Sequence, residues 1–294
     1  MNFEPIWGGI IAWYLFLAGL GGGAFIGGAF LSWKHPEATT IRRVARIIAP
    51  AVVIIGLLLL MMDAEAGLHN PLRFALLLSN FGSVMTWGVV FLAAFVVIAL
   101  LVLLLDFLKK EVPWWLEVAG VVFALCVAAY TGALLGVAKT FPLWNNALLP
   151  ILFSVSALSA GASAVLLGGA IFNVNEFHGI MKFKKAHYVL PLIEIILLAS
   201  LLFITSSNSS AGFASVESLL IGKHAIAFWF GLVGVGLLLP VLIETMLLFV
   251  VGREQEESST GRLASIAGSV GVLVGGFLLR YLVVVAALPL VIVS

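Results

Sequence analysis

The sequence predicts an all-α polytopic membrane protein: eight transmembrane helices in two four-helix bundles, with both termini outside. Three observations predict it. Of 294 residues, 63% are hydrophobic and only 10% charged, against roughly 25% charged in an ordinary soluble domain. Eight apolar runs approach or exceed the ~20 residues that a helix needs to span a bilayer. Basic residues gather in every second connection between those runs. The runs do not alternate apolar and polar residues, which excludes a transmembrane β-barrel. A net charge of +1 gives no ground for nucleic-acid binding. Cys126 stands alone, so disulfides and Cys-ligated clusters within the chain are excluded.

The first run, Gly8–Trp33, has no basic segment before it and exceeds the apolar region of a signal peptide, so it reads as a retained helix. Its Gly19, Gly23 and Gly27 recur every fourth residue, with Gly21, Gly22 and Gly28 beside them. Such a stripe lets helix backbones approach closely. The second run, Ile47–Met62, is short and is expected to extend into its flanks; Asp63, Glu65, His69 and Arg73 follow it. The third is Met85–Leu105. The fourth, Leu116–Ala138, carries Tyr130 nine residues before Lys139, roughly 13 Å below that helix end at 1.5 Å per residue. The fifth, Leu148–Phe172, follows "KTFPLWNN" and repeats small residues at Ala160, Ala164 and Gly168. The sixth, Tyr188–Ser206, is also short and holds Glu194. The seventh, His224–Val251, holds Glu244 and Pro240, the latter expected to kink it. The eighth, Leu263–Val291, holds Gly268, Gly271, Gly275, Gly276 and Arg280. The first and fifth runs resemble each other ("LAGLGGGAFIGGAF" and "SALSAGASAVLLGGAIF"), each opening a block of four. This suggests a first bundle over residues 1–147 and a second over 148–294.

Orientation follows from the Lys and Arg distribution. Lys34, Arg42, Arg43, Arg46, Lys109, Lys110, Lys182, Lys184, Lys185, Arg253 and Arg262 fall on one side, and Arg73, Lys139 and Lys223 on the other. The basic connections are therefore expected in the cytoplasm and the termini outside.

Polar side chains within or beside the runs are the functional candidates, because an ionisable group in a bilayer is costly. Toward the outer side stand Asp63, Glu65, His69, Tyr14, Tyr130, Lys139, Trp144 and Asn145. The plain alternatives are a solvated helix end for the two acids, snorkelling to the interface for Lys139 and an aromatic belt for the tryptophans. Deeper lie Glu194, Glu244 and Arg280. A cation near the midplane costs about 2.5 to 3.5 kcal/mol on insertion scales, so Arg280 calls for a partner, with Glu194 or Glu244 the candidates. The three suit either a structural ion pair or a proton route. His35, His69, His178, His187 and His224 read as loop or helix-end residues, so no haem is expected, and no metal or nucleotide motif stands out. Redox chemistry here would need a lipophilic carrier, with electrons leaving through another subunit. A secondary transporter and a pure membrane anchor are the rival classes.

Four segments carry a resemblance: "YLFLAGLGGGAFIGGAF", "LRFALLLSNFGSVMTWGVVFL", "AAYTGALLGVAKTFPLWNNALLP" and "GGFLLRYLVVVAA". Together they resemble the NrfD/PsrC family, integral membrane subunits of polysulfide-reductase-like complexes. The resemblance implies two four-helix bundles and no resident haem or iron–sulfur cluster. It implies electron exchange between a membrane quinone (menaquinone or ubiquinone) and a ferredoxin-like four-cluster iron–sulfur subunit on the outer face, which serves a molybdopterin or other catalytic subunit. It implies residence in the bacterial inner membrane and a quinone pocket in the first bundle that uses Tyr130. Some members carry Asn and His on the outer part of the first helix; here that stretch reads "GGIIAWYLF", with Ile11 and Tyr14 as the nearest equivalents, so His69 or Asp63 is expected to supply the missing polar contact.

Overall fold

A computed structural model describes residues 7–63, 80–172, 180–250 and 259–290. Among them the regular structure is all helical. The spans are α1 (Gly9–Lys34), α2 (Thr39–Asp63), α3 (Val84–Phe107), α4 (Trp114–Gly136), α5 (Leu148–Ile171) and α6 (Met181–Asn208). A short α7 (Ser210–Leu220) follows. Span α8 joins a π-helical stretch (Ala227–Leu238), an α-helical turn (Leu239–Thr245) and a second π-helical stretch (Met246–Val250), and α9 is Ser259–Ala286. Eight of these helices are long and apolar enough to cross a membrane.

The two short runs do extend into their flanks. α2 starts at Thr39, eight residues before Ile47, and α6 starts at Met181, seven before Tyr188. The added turns carry charges that pair with neighbouring helices, so hydropathy alone truncates them. α7 interrupts what reads as a loop; the Ser209 hydroxyl caps it by accepting from Gly212 N at 3.0 Å. Pro240 does not simply bend α8. It offers no N–H to the preceding turn, and the backbone before it takes the wider π form.

Both described chain ends lie on one face of the molecule. Trp7 stacks on Trp144 with ring centroids 5.2 Å apart, and Leu290 N donates to the Thr140 carbonyl at 2.7 Å. We call this the terminal face, and the opposite one, which holds the connections rich in Lys and Arg, the basic face.

α1 and α5 are the most enclosed spans, and consecutive glycines explain why. Successive residues of a helix point about 100° apart, so Gly21, Gly22 and Gly23 each face a different neighbour. A Cβ at Gly21 would lie 2.6 Å from the Ala49 carbonyl of α2, and one at Gly22 would lie 2.9 Å from the Ala124 carbonyl of α4. One at Gly23 would overlap the Ala157 carbonyl of α5. From the other side, a Cβ at Gly161 of α5 would overlap the α1 backbone at Gly23 and Ala24. α1 therefore packs on α2, α4, α5 and α9 at once. α8 and α9 meet in the same way, Gly236 against Gly275.

At the basic face a buried ion-pair cluster ties α1 to α4. Arg46 of α2 donates to Asp106 of α3 at 2.7 Å and to Glu117 of α4 at 2.6 Å. Trp33 Nε1 of α1 donates to the other Glu117 oxygen at 2.8 Å, and Arg43 donates to Asp106 at 2.9 Å. By hydropathy Arg43 and Arg46 read as loop charges. They are helical, and Arg46 is buried and neutralised.

Two outcomes follow for stability. Gly161→Ala should force α1 and α5 apart, because backbone rather than a movable side chain stands in the way; overpacking of this kind costs about 1–3 kcal/mol. A lowered thermal unfolding midpoint of the detergent-solubilised protein checks it, and an unchanged midpoint contradicts the crossing. Glu117→Gln should leave Arg46 short of a buried counter-charge, a loss of about 3–5 kcal/mol where such a pair is broken; the same melting measurement reads it.

Candidate functional site

α1 to α4 surround a gap at their ends toward the terminal face. In the other half of the gap Phe25 and Phe95 fill the space edge to face, centroids 5.5 Å apart, and Gly120 of α4 makes room for the Phe25 ring. Toward the terminal face no such pair closes the gap, and a cavity of about 410 Å³ remains. Ile11 and Tyr14 of α1, Leu57, Leu60 and Met61 of α2, Met85, Val89 and Leu92 of α3, and Tyr130 and Leu134 of α4 form most of its wall, with Trp7 at one end. Met85 is 49% exposed, so the cavity reaches the lipid-facing surface. An apolar cleft of this size with a few fixed polar groups has the character of a small-molecule site.

Two phenols supply the polarity. Tyr14 and Tyr130 are both buried and both line the cavity. Among the described residues neither hydroxyl forms a hydrogen bond, although a buried phenol ordinarily finds a partner. Gly88 of α3 sets where the Tyr130 ring lies: a Cβ there would overlap the ring and its hydroxyl.

The other candidates from the sequence fall outside this cavity. Asp63 is exposed at the end of α2, two residues beyond Met61 of the wall. Lys139 and Asn145 are exposed on the terminal face. Trp144 is buried but points away, donating Nε1 to the Val283 carbonyl at 2.7 Å, and it acts on the cavity by stacking on Trp7. Glu65 and His69 lie outside the described residues.

The second set of polar residues is arranged otherwise than the sequence suggests. Arg280 is fully buried, and its direct partners are oxygens of the polypeptide rather than a carboxylate. Nε donates to the Leu15 carbonyl of α1 at 3.2 Å, Nη1 to Ser156 Oγ of α5 at 3.1 Å and the Gly276 carbonyl at 2.7 Å, and Nη2 to the Phe153 carbonyl at 3.2 Å. The Phe153 and Phe16 rings lie 5.1 and 5.8 Å from its central carbon. Glu194 of α6 acts on the guanidinium through space. Glu244 of α8 pairs instead with His187, Oε1 2.6 Å from Nδ1. His187 is no helix-end residue: it is buried within α6, with Nε2 2.6 Å from Ser163 Oγ. Sequence reasoning also misses Gly88, Met85 and the serines of α5. The spacing Ser156, Ser159, Ser163 on one helix face is the only signal that points to any of them. Among the described residues no group of three or more His, Cys, Asp or Glu side chains is placed to hold a metal ion.

Of the eight helical spans, four wall a cavity that reaches the lipid-facing surface and carries two phenols, the arrangement of a membrane protein with room for a lipophilic small molecule. The sequence matches the family described as polysulphide reductase, NrfD, over residues 1–291, and the protein belongs to this NrfD/PsrC family of membrane subunits of reductase complexes. It is 35% identical to a polypeptide of the polysulfide reductase of Wolinella succinogenes, over 82% of the present sequence and 84% of that protein. It is 30% identical to protein NrfD of Escherichia coli, over 97% and 96% respectively. It is 29% identical to a polypeptide of the selenate reductase of Mesobacillus selenatarsenatis, over 48% of the present sequence and 35% of that protein.

Proposed function

We propose that this protein exchanges electrons between a membrane quinone and an iron–sulfur partner subunit of a bacterial inner-membrane reductase complex. The observation that carries the reading is the cavity walled by α1 to α4, with two phenols inside it that have no hydrogen-bond partner among the described residues and a lipid-facing opening beside Met85. A quinone or quinol head group, of the menaquinone or ubiquinone type, enters laterally. Tyr130 donates a hydrogen bond to one carbonyl oxygen of the head group, and Tyr14, on the adjoining α1, is the second phenol available to it. The apolar remainder of the wall takes the ring and the first isoprenoid units and keeps water away from them.

Quinol oxidation releases two electrons and two protons. Asp63, at the rim, accepts protons and passes them to water, with Lys139, exposed on the same face, as a further titratable group and Glu65 and His69 as the candidates from the sequence. The electrons pass to a ferredoxin-like four-cluster iron–sulfur subunit docked on the terminal face, over the connection from Asp63 to Val84 and the loop from Lys139 through Trp144 and Asn145 to Asn146. That partner serves a molybdopterin or other catalytic subunit, which sets the terminal substrate. The relatives' names, polysulfide reductase and selenate reductase, support a reductase of this kind. A second reading adds proton movement through α5, α6, α8 and α9 by way of Arg280, Glu194 and Glu244, and the burial of Glu194 and Arg280 in one polar row favours it.

In the intact complex, Tyr130→Phe should lower kcat/KM for quinol about tenfold, the worth of one hydrogen bond at roughly 1.4 kcal/mol. Unaltered kinetics and unaltered binding of a quinone-site inhibitor would remove Tyr130 from the site. Gly88→Ala should act alike by shifting the phenol, and should add nothing in a Tyr130→Leu background; additive losses would show that Gly88 acts elsewhere.

A further inference from the structure

The turn between α3 and α4, at the basic face, carries a lysine where a helix ordinarily ends in glycine. α3 closes in a Schellman motif: Lys110 N donates to the Leu105 carbonyl at 2.9 Å, and Lys109 N to the Asp106 carbonyl at 3.1 Å. Lys109 takes the left-handed position of that motif, with φ 53°. Glycine favours this position because it has no Cβ to crowd the backbone. Among the described residues no other non-glycine residue has a positive φ. The fold alone would be better served by glycine, which singles out the lysine side chain.

The fold does not use that charge. Asp106 and Glu117, the acids that flank the turn on α3 and α4, are matched by Arg43 and Arg46. Lys109 and Lys110 are exposed, and neither forms an ion pair among the described residues. Glu111 is the one acid within the turn. Just beyond it Trp114 and Trp115 open α4, 69% and 66% exposed. Consecutive helical residues point about 100° apart, so the two rings give the helix start a broad aromatic edge. Among the described residues neither indole N–H forms a hydrogen bond. On the α3 side of the turn Phe107 and Leu108 are exposed too. Apolar, aromatic and cationic side chains therefore meet where two spans leave the bilayer. A phospholipid presents the matching groups: acyl chains, an interfacial glycerol level suited to indole rings, and a phosphate. A free anion would use the lysines and leave the tryptophans without a role.

We propose that the α3–α4 turn binds an anionic phospholipid of the leaflet at the basic face. Lys109 and Lys110 hold the headgroup phosphate, Trp114 and Trp115 lie at the glycerol level, and Phe107 and Leu108 meet the acyl chains. The site is independent of the electron-transfer reading above.

The test uses the full chain in phosphatidylcholine nanodiscs that contain a rising share of phosphatidylglycerol brominated in its acyl chains, bromine being a contact quencher of indole fluorescence. Brominated phosphatidylcholine is the neutral control, and the difference from the Trp114→Phe/Trp115→Phe variant isolates the two rings. Phosphatidylglycerol should reach half-maximal quenching at a share at least about tenfold below that of phosphatidylcholine, and Lys109→Gly and Lys110→Gln should each weaken this preference about fivefold. Lys109→Gly relieves the backbone, so it should raise the melting midpoint by about 2 °C while lipid binding falls. Lys110→Gln tests the charge at a residue whose backbone is unstrained. Equal quenching by the two lipids, or a preference unchanged in the Lys109→Gly/Lys110→Gln double variant, would overturn the lipid site. Displacement of phosphatidylglycerol by inorganic phosphate would also overturn it, assigning the lysines to a free anion instead.

Discussion

One buried guanidinium holds the molecule together. Arg280 reaches from α9 to carbonyls of α1 and α5 and to a serine of α5, and returns to its own helix at Gly276. An arginine in hydrocarbon is costly because its donors lose water. Here oxygens of the polypeptide replace that water, two aromatic rings lie close to the cation, and Glu194 offsets part of its charge from a distance. Carbonyls turned toward a cation are oxygens whose helical bonding is supplemented rather than lost, so the three helices gain an anchor without surrendering their own ladders. The arrangement demands close approach. Gly19 supplies it: a Cβ there would lie 2.9 Å from Nη2.

On either side of that anchor, α1 to α4 (the first group) and α5 to α9 (the second group) differ in character. α1 and α5 cross backbone to backbone at Gly23 and Gly161, which places α1 at the centre of the first group and the serine face of α5 at the centre of the second. In the first group the basic end is sealed by Arg46, Asp106, Glu117 and Trp33, and the middle by Phe25 and Phe95. Space is left only toward the terminal face. Large rings below and a glycine above thus decide where a lipophilic molecule can sit. In the second group small residues draw the helices together until buried polar groups can reach one another.

The division suits a subunit of a reductase complex that has no metal-binding group among its described residues. An apolar chamber that opens to lipid and carries two phenols has room and hydrogen-bond donors for a flat, hydrogen-bond-accepting molecule. Arg280 stands between α1, one wall of that chamber, and the serine face of α5, donating to the Leu15 carbonyl and to Ser156 Oγ.

Hydropathy and charge determine the eight spans, since a bilayer imposes the same length and polarity on every helix that crosses it. The family resemblance points to Tyr130, and depth along the first helix points to Tyr14; both line the cavity. What the sequence does not show is which residues face one another. Arg280 resembles half of an ion pair, yet carbonyls, which have no sequence signature, satisfy it. His187 resembles a helix-end residue because the charged turn before it hides the true start of α6. Asp63 and Lys139 belong to the same outer end as Tyr130, but position along a helix says nothing of azimuth. Gly88 is one small residue among many until the Tyr130 ring is seen to need its missing side chain. Span number and length follow from the solvent, which the sequence encodes residue by residue. The cavity, the guanidinium cradle and the Glu244–His187–Ser163 row follow from how helices rotate and approach, which only packing in three dimensions decides.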